Sequence, residues 1–407
     1  MNKNSTLIIL GAGASVESGL YPIGNELSEI AKKILTKIPH KKNNNLYQTK
    51  EAGKEFYTTL YTTLDSFSHY GGTIDAHISK ITNEKKRHEI LKSFIIAVLA
   101  LCTQYSLEKK ALFKTWYNNI GDLFLPNVIS EENDLIRIKK IEQKIENINI
   151  ITFNYDTSLE LYLADLVKNH FKNKHIAEQA FIKICSKIHH IYGSVDDDYN
   201  KIFNYIYENK SRSENSAIND FFDLLVTDYK NYSNKKKYIT IKDVLNDYND
   251  DNEKKYITIK DALNDYNDDN EKDDSDYAAI SIPENDGFFD FCHQLILEIY
   301  STQIVKKIKT IHEERSENKL KNISKKCDFL YILGYGFDKE NNKRIGFVDF
   351  GKNKIKYKEA YITNFGGNIE IQKLINKFSK RCFLRKKPVI VDEIISKALV
   401  NAFNFKQ

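Results

Sequence analysis

Leu7, Ile8, Ile9 and Leu10 leave no polar side on an extended strand. A strand that is apolar on both faces must be covered on both, as in a parallel sheet flanked by helices. Similar short runs follow at Ile148 to Phe153, Ile188 to Tyr192, Phe329 to Leu333 and Glu359 to Thr363. Between them lie stretches of helical periodicity, at Glu26 to Ile38, Glu55 to Leu64, Glu89 to Tyr105 and about Phe288 to Lys307. Strands alternating with helices predict an α/β fold with a parallel sheet. The helical stretch from about residue 28 to 145 is far longer than one crossover needs, and reads as an inserted helical subdomain.

The first strand ends at Gly11-Ala12-Gly13-Ala14-Ser15, and three of the chain's 16 glycines fall between Gly11 and Gly19. A buried strand, a glycine turn and a helix start form the layout of a nucleotide loop. The glycines let the backbone approach a pyrophosphate, and the helix N-terminus offers unpaired N–H groups. Val16 stands where a third motif glycine belongs, so the loop taken alone is a weak signal and is also compatible with a tight structural turn.

Three further clusters sit where strands end. Thr152-Phe153-Asn154-Tyr155-Asp156 reads either as ligand-binding amide and carboxylate groups or as an Asx turn and helix cap. His189-His190-Ile191-Tyr192-Gly193-Ser194 offers a histidine as a base near neutral pH, or two structural histidines. Period-two spacing puts His190 and Tyr192 on one face of an extended strand and His189 on the other. Gly334-Tyr335-Gly336-Phe337, with Asn341 and Asn342 behind it, is a second glycine turn suited to a nucleotide.

In this order the four clusters resemble the sirtuins. The first contributes Gly11 to Ser15 with Ser18-Gly19 and Pro22, and the others follow as quoted. Thr73-Ile74-Asp75 and the Gly334 to Asn341 string are most similar to the sirtuin-like proteins of bacterial antiphage defence. The resemblance covers most of residues 5 to about 370. It implies a Rossmann-like parallel sheet flanked by helices, with the helical insertion. It also implies cleavage of the nicotinamide–ribose bond of NAD to nicotinamide and ADP-ribose, in an abortive-infection role. NAD is then substrate rather than resident cofactor. Asn154 would position the ribose hydroxyls or the water, and His190 would be the base. Gly11, Ala12, Gly13, Ala14, Ser15, Asp156, Gly334, Gly336 and Phe337 would bind the dinucleotide.

Sirtuin deacylases carry a four-cysteine zinc module, and Cys102, Cys185, Cys292, Cys327 and Cys382 form no CxxC pair, so no metal is expected. That disfavours the first alternative, a protein deacylase. The second alternative, a non-catalytic sensor of an NAD derivative, follows from Tyr192, which stands where sirtuins carry their histidine. Since an NAD-consuming enzyme must be held inactive, a homo-oligomer or a separate partner is expected, such as a HerA-like hexameric ATPase.

Composition adds exclusions. A net charge of +5, from 61 Lys+Arg against 56 Asp+Glu, gives no concentrated basic face, so nucleic-acid binding is not expected. The longest apolar run, Phe94 to Cys102, is shorter than the roughly 20 residues a membrane span needs. With a strand-like run directly after the first residues, the expectation is a soluble, cytoplasmic protein. Residues 236–253 and 254–271 are identical except for Val244 against Ala262. This acidic tandem duplicate, taken as 236–276, is read as an exposed loop between a first sirtuin-like part, 1–235, and the remainder, 277–407.

Overall fold

The computed structural model describes residues 5–17, 24–37, 51–70, 74–81, 84–108, 116–125, 133–194, 198–208, scattered positions from 292 to 309, 318–347, 357–364, 368–381 and 388–391. The tandem duplicate, Thr73, and Ser18 to Pro22 lie outside the described residues.

Six strands, β1 (Thr6–Leu10), β2 (Ile148–Thr152), β3 (Ile188–His190), β4 (Phe329–Leu333), β5 (Glu359–Thr363) and β6 (Val389–Val391), form one sheet. The order is β3-β2-β1-β4-β5-β6, and every pairing is parallel. The helices in chain order are α1 (Ala12–Glu17), α2 (Gly24–Lys37), α3 (Glu51–Ser68), α4 (Ile74–Lys80), α5 (Lys85–Glu108), α6 (Tyr117–Phe124), α7 (Asp134–Ile145), α8 (Ser158–His170), α9 (Lys174–Cys185), α10 (Tyr199–Glu208), α11 (Asn318–Lys326), α12 (Lys339–Arg344) and α13 (Ile369–Arg381).

The expected α/β architecture is therefore what the chain forms. Leu7, Ile8 and Ile9 are fully buried, as a strand covered on both faces requires. One layer of the core joins Leu7 and Ile9 to Ile151, Leu330, Ile332, Ile362, Ile375 and Phe378. Asn133 starts α7 by accepting from Leu135 N at 2.9 Å, and Asn173 starts α9 by accepting from Ile176 N at 3.2 Å.

The chain divides into two compact units. One holds the sheet and comprises Met1–Leu20, Lys109–Lys210 and Ile311–Gln407. The other comprises Tyr21–Glu108 and Ser211–Thr310. The helical unit contains α2 to α5, around Leu60, Leu64, Phe67 and Phe94. The Phe67 and Phe94 rings lie 6.0 Å apart. Cys292, Leu295, Ile296 and Ile299 are helical and buried at the spacing of one helix face. Of the helical stretch from about 28 to 145, α6 and α7 belong instead to the sheet unit.

Two strands depart from the sequence reading. The third ends at His190; Ile191 N still donates to Thr152 O at 2.9 Å, and Ile191 and Tyr192 then form a turn instead of a longer strand. Gly193, at φ 80°, completes that turn. The sixth, Val389–Val391, was not expected from the sequence, being short and preceded by a basic run and Pro388.

Candidate active site

The strand order reverses direction at β1, which has β2 on one side and β4 on the other. In open parallel sheets, ligands bind beyond the carboxyl ends of the strands at such a reversal. The registers align Leu10 with Thr152 and Leu333, and Thr152 with His190. Gly11, Asn154, His190 and Gly334 therefore gather at one edge.

The glycines at this edge pack backbone on backbone. Gly11 N donates to Leu333 O and Gly13 N to Gly334 O, each at 3.0 Å. A Cβ on Gly334 would lie 2.2 Å from Ala14 N, and one on Gly11 would lie 2.4 Å from Gly334 O. Gly334 also has φ +58°, a conformation glycine adopts without strain. The Gly13 amide is thus spent on a carbonyl rather than left open for a phosphate, and Ala14 N is taken by Gly11 O at 2.9 Å. Trp116 Nε1 donates to Ala14 O at 2.9 Å and fixes the far side of the same turn.

Beside it lies a hydrogen-bonded chain whose direction can be worked out. Asp156 is 6% exposed and accepts from Ser15 Oγ at 3.0 Å through one oxygen. Its other oxygen accepts from Ser158 N at 3.2 Å and from Ser158 Oγ. A hydroxyl has one proton to give. With Asp156 ionised, Ser15 gives its proton to the carboxylate, so toward Asn154 Nδ2, at 2.7 Å, it accepts. Ser158 likewise accepts from Tyr117 OH at 2.6 Å. The side-chain amide of Asn154 is thereby oriented with its nitrogen toward Ser15. Its Oδ1 is buried with no hydrogen-bond partner in the protein, an acceptor left without a donor. Burial raises the Asp156 pKa, opposed by the Ser158 hydrogen bonds, while Glu160 raises it further and Ser15 opposes.

His190 is engaged on both ring nitrogens. Nδ1 lies 2.9 Å from the main-chain oxygen of Asn154, and Nε2 lies 2.6 Å from Glu160 Oε1. The two side chains are 8% and 1% exposed. Burial alone would depress the imidazole pKa. The Glu160 carboxylate and the hydrogen bonds to Glu160 and Asn154 outweigh it, so the net direction is upward, with Asp156 adding to the rise. His189 goes the other way, held down to about 4 by burial and by Lys319, Lys187 and His190.

Tyr192 does not share His190's surroundings. Its hydroxyl donates to Asn341 Oδ1, its ring lies 5.8 Å from that of Tyr155, and the Arg344 guanidinium sits 5.5 Å from its centre. The period-two argument fails because the strand stops at His190. Of the second glycine turn, Phe337 puts its ring into the core against Tyr335 and Phe378, and Asn342 Nδ2 holds its carbonyl at 2.7 Å. Gly336 is exposed, and a Cβ there would meet nothing. Ala12 is exposed and Ser15 is buried.

The structure adds residues that the sequence did not single out. Glu160, Ser158 and Tyr117 belong to the buried network. Asn364, one residue past β5 and 4% exposed, has a second unpartnered amide oxygen at the carboxyl edge. Asn364 had one legible signal, an Asn ending an apolar strand; a buried carboxylate such as Glu160 has none. Among the described residues, no group of three or more His, Cys, Asp and Glu side chains could hold a metal ion, and no helix is long and apolar enough to cross a membrane. No protein-family model, curated protein or solved structure matches the chain.

Proposed function

We propose that the chain hydrolyses NAD to nicotinamide and ADP-ribose. The observation that carries this reading is the oriented Asn154 amide. Its oxygen is an unfilled acceptor at the edge where β1 reverses the sheet order. An acceptor fixed there suits a ribose hydroxyl or a water molecule.

The chemistry asks little of a base. The C1′–N bond of NAD breaks with its electron pair going to the pyridinium nitrogen, and nicotinamide leaves neutral. The sugar becomes an oxocarbenium ion. Water adds at C1′ and loses a proton to solvent, giving ADP-ribose. Holding water and ribose in line is then the main contribution of Asn154, and Ser15 and Asp156 keep its amide turned the right way. Gly336, exposed and without steric neighbours, supports close approach of the dinucleotide. The engaged amide of Gly13 shifts the expected phosphate contact away from that group.

One observation favours a second reading, a sensor that binds NAD or a derivative without cleaving it: neither nitrogen of His190 offers a lone pair to a ligand. Incubating the purified chain with NAD separates the two. Nicotinamide and ADP-ribose in equal amounts support hydrolysis, and saturable binding without products supports the sensor. An abortive-infection role, with activity gated by self-assembly or by a HerA-like ATPase, belongs to the hydrolase reading. It predicts that NAD falls in infected cells only when the active chain is present.

A further inference from the structure

One imidazole brackets the whole turn between β2 and α8. The turn leaves the sheet after Thr152 and enters α8 at Ser158. His190 meets its beginning at the Asn154 carbonyl and its end at Glu160, in the first turn of α8. The Asn154 carbonyl can only accept, so Nδ1 must carry a proton. At 2.6 Å, Nε2 and Glu160 share another. Whichever of the two holds it, no lone pair of the ring is left for a water molecule. A carboxylate 1% exposed is tolerated only when paired and hydrogen-bonded. Glu160 is therefore present for His190, and His190 for the turn.

We propose that His190 and Glu160 are a positioning pair that clamps the Asn154 turn, and that His190 is not the base of the reaction. The inference deepens the hydrolase reading and rests on it only for its kinetic consequences. The ionisable groups around the imidazole are Glu160 on α8, Asp156 in the turn, His189 on β3, and Cys185 at the end of α9, which feels Glu160.

The test compares a donor with a base. Asn at position 190 supplies an amide N–H where Nδ1–H stands but cannot take up a proton at neutral pH. Since His190→Asn alone would strand a buried carboxylate, the variant that decides is His190→Asn with Glu160→Gln. A clamp predicts kcat within about tenfold of wild type for this pair and an unchanged KM. His190→Ala should lose about two orders of magnitude or more in kcat. The wild-type profile should carry no acid limb from His190, because neither ring nitrogen offers a lone pair to act as base. A folded double variant as inactive as His190→Ala would overturn the proposal. So would an acid limb in the wild type that moves to lower pH in Glu160→Gln.

A second measurement does not depend on activity. In the full chain labelled with 15N-histidine, the His190 signal is assigned by its loss in the double variant, or in His190→Gln should that variant not fold. Nδ1 should remain protonated through neutral pH without any ligand, and a bare Nδ1 at neutral pH would overturn the clamp. If the wild-type chain releases no nicotinamide, the hydrolase reading fails and the 15N result alone decides the clamp.

Discussion

Asn154 is useful only in one of its two amide orientations. Ser15, with its single proton given to Asp156, accepts from the nitrogen and leaves the buried oxygen without a donor. Asn154→Ala should therefore lower kcat for nicotinamide release by about two to three orders of magnitude, with little change in melting temperature. Asn154→Asp should be as inactive, because a carboxylate cannot donate to Ser15. Wild-type turnover in either folded variant would remove Asn154 from the reaction. The neighbouring histidines contribute to stability with opposite pH dependence. His189 is held near 4, below its unfolded value, so its contribution is present above pH of about 6.5 and is lost as pH falls through about 4. His190 is raised, so its contribution is full below pH of about 6.5 and is lost as pH rises through its folded value. Melting temperature against pH should show an acid-side decline that is shallower in His189→Phe, while turnover per folded molecule stays unchanged in that variant.

At the scale of elements, most of the sheet was readable because its strands are apolar on both faces. Leu7 to Leu10 and Phe329 to Leu333 leave a sequence reader little choice. The end of β3 was not readable. Ile191 and Tyr192 continue the apolar pattern but serve a turn, since buried turns and buried strands draw on the same residues. The glycine loop was found for a reason different from the one that holds it. Its spacing suggested a phosphate, and its tightest contacts are with the backbone of another turn. The buried network around Asp156 was half legible: Asn154 and Asp156 stand in a motif, whereas Tyr117 and Glu160 gain meaning only from folding. Gly334→Ala should cost at least about 2 kcal/mol in unfolding free energy, combining a backbone clash with a left-handed φ. Gly336→Ala should leave the melting temperature within a degree or so of wild type, the ordinary range for an exposed site without neighbours. Equal effects from the two substitutions would contradict the packing described for Gly334.

The whole molecule is assembled from alternating pieces of chain, and each compact unit is interrupted by the other. The tandem duplicate falls in the segment assigned to the helical unit, and one copy nearly repeats the other. Deleting residues 254–271 removes polar, acidic sequence; if that stretch is the loop its composition suggests, closure cost changes only slowly with length, by roughly 0.6 kcal/mol per doubling. The shortened chain should melt as the full chain does and, under the proposed hydrolase function, release nicotinamide at the same rate; a markedly lower melting temperature would give the second copy a structural role.

The central strand of the sheet is also the first to be made. β1 is made more than a hundred residues before its partner β2, and β4 follows only after Cys327. Throughout most of synthesis, then, β1 has an unpaired backbone edge and apolar side chains on both faces, a template for pairing with other chains. A message truncated before residue 329 should yield an insoluble product rather than a smaller folded one. For a chain of this design, synthesis of β4 is itself the step that makes the carboxyl edge around β1.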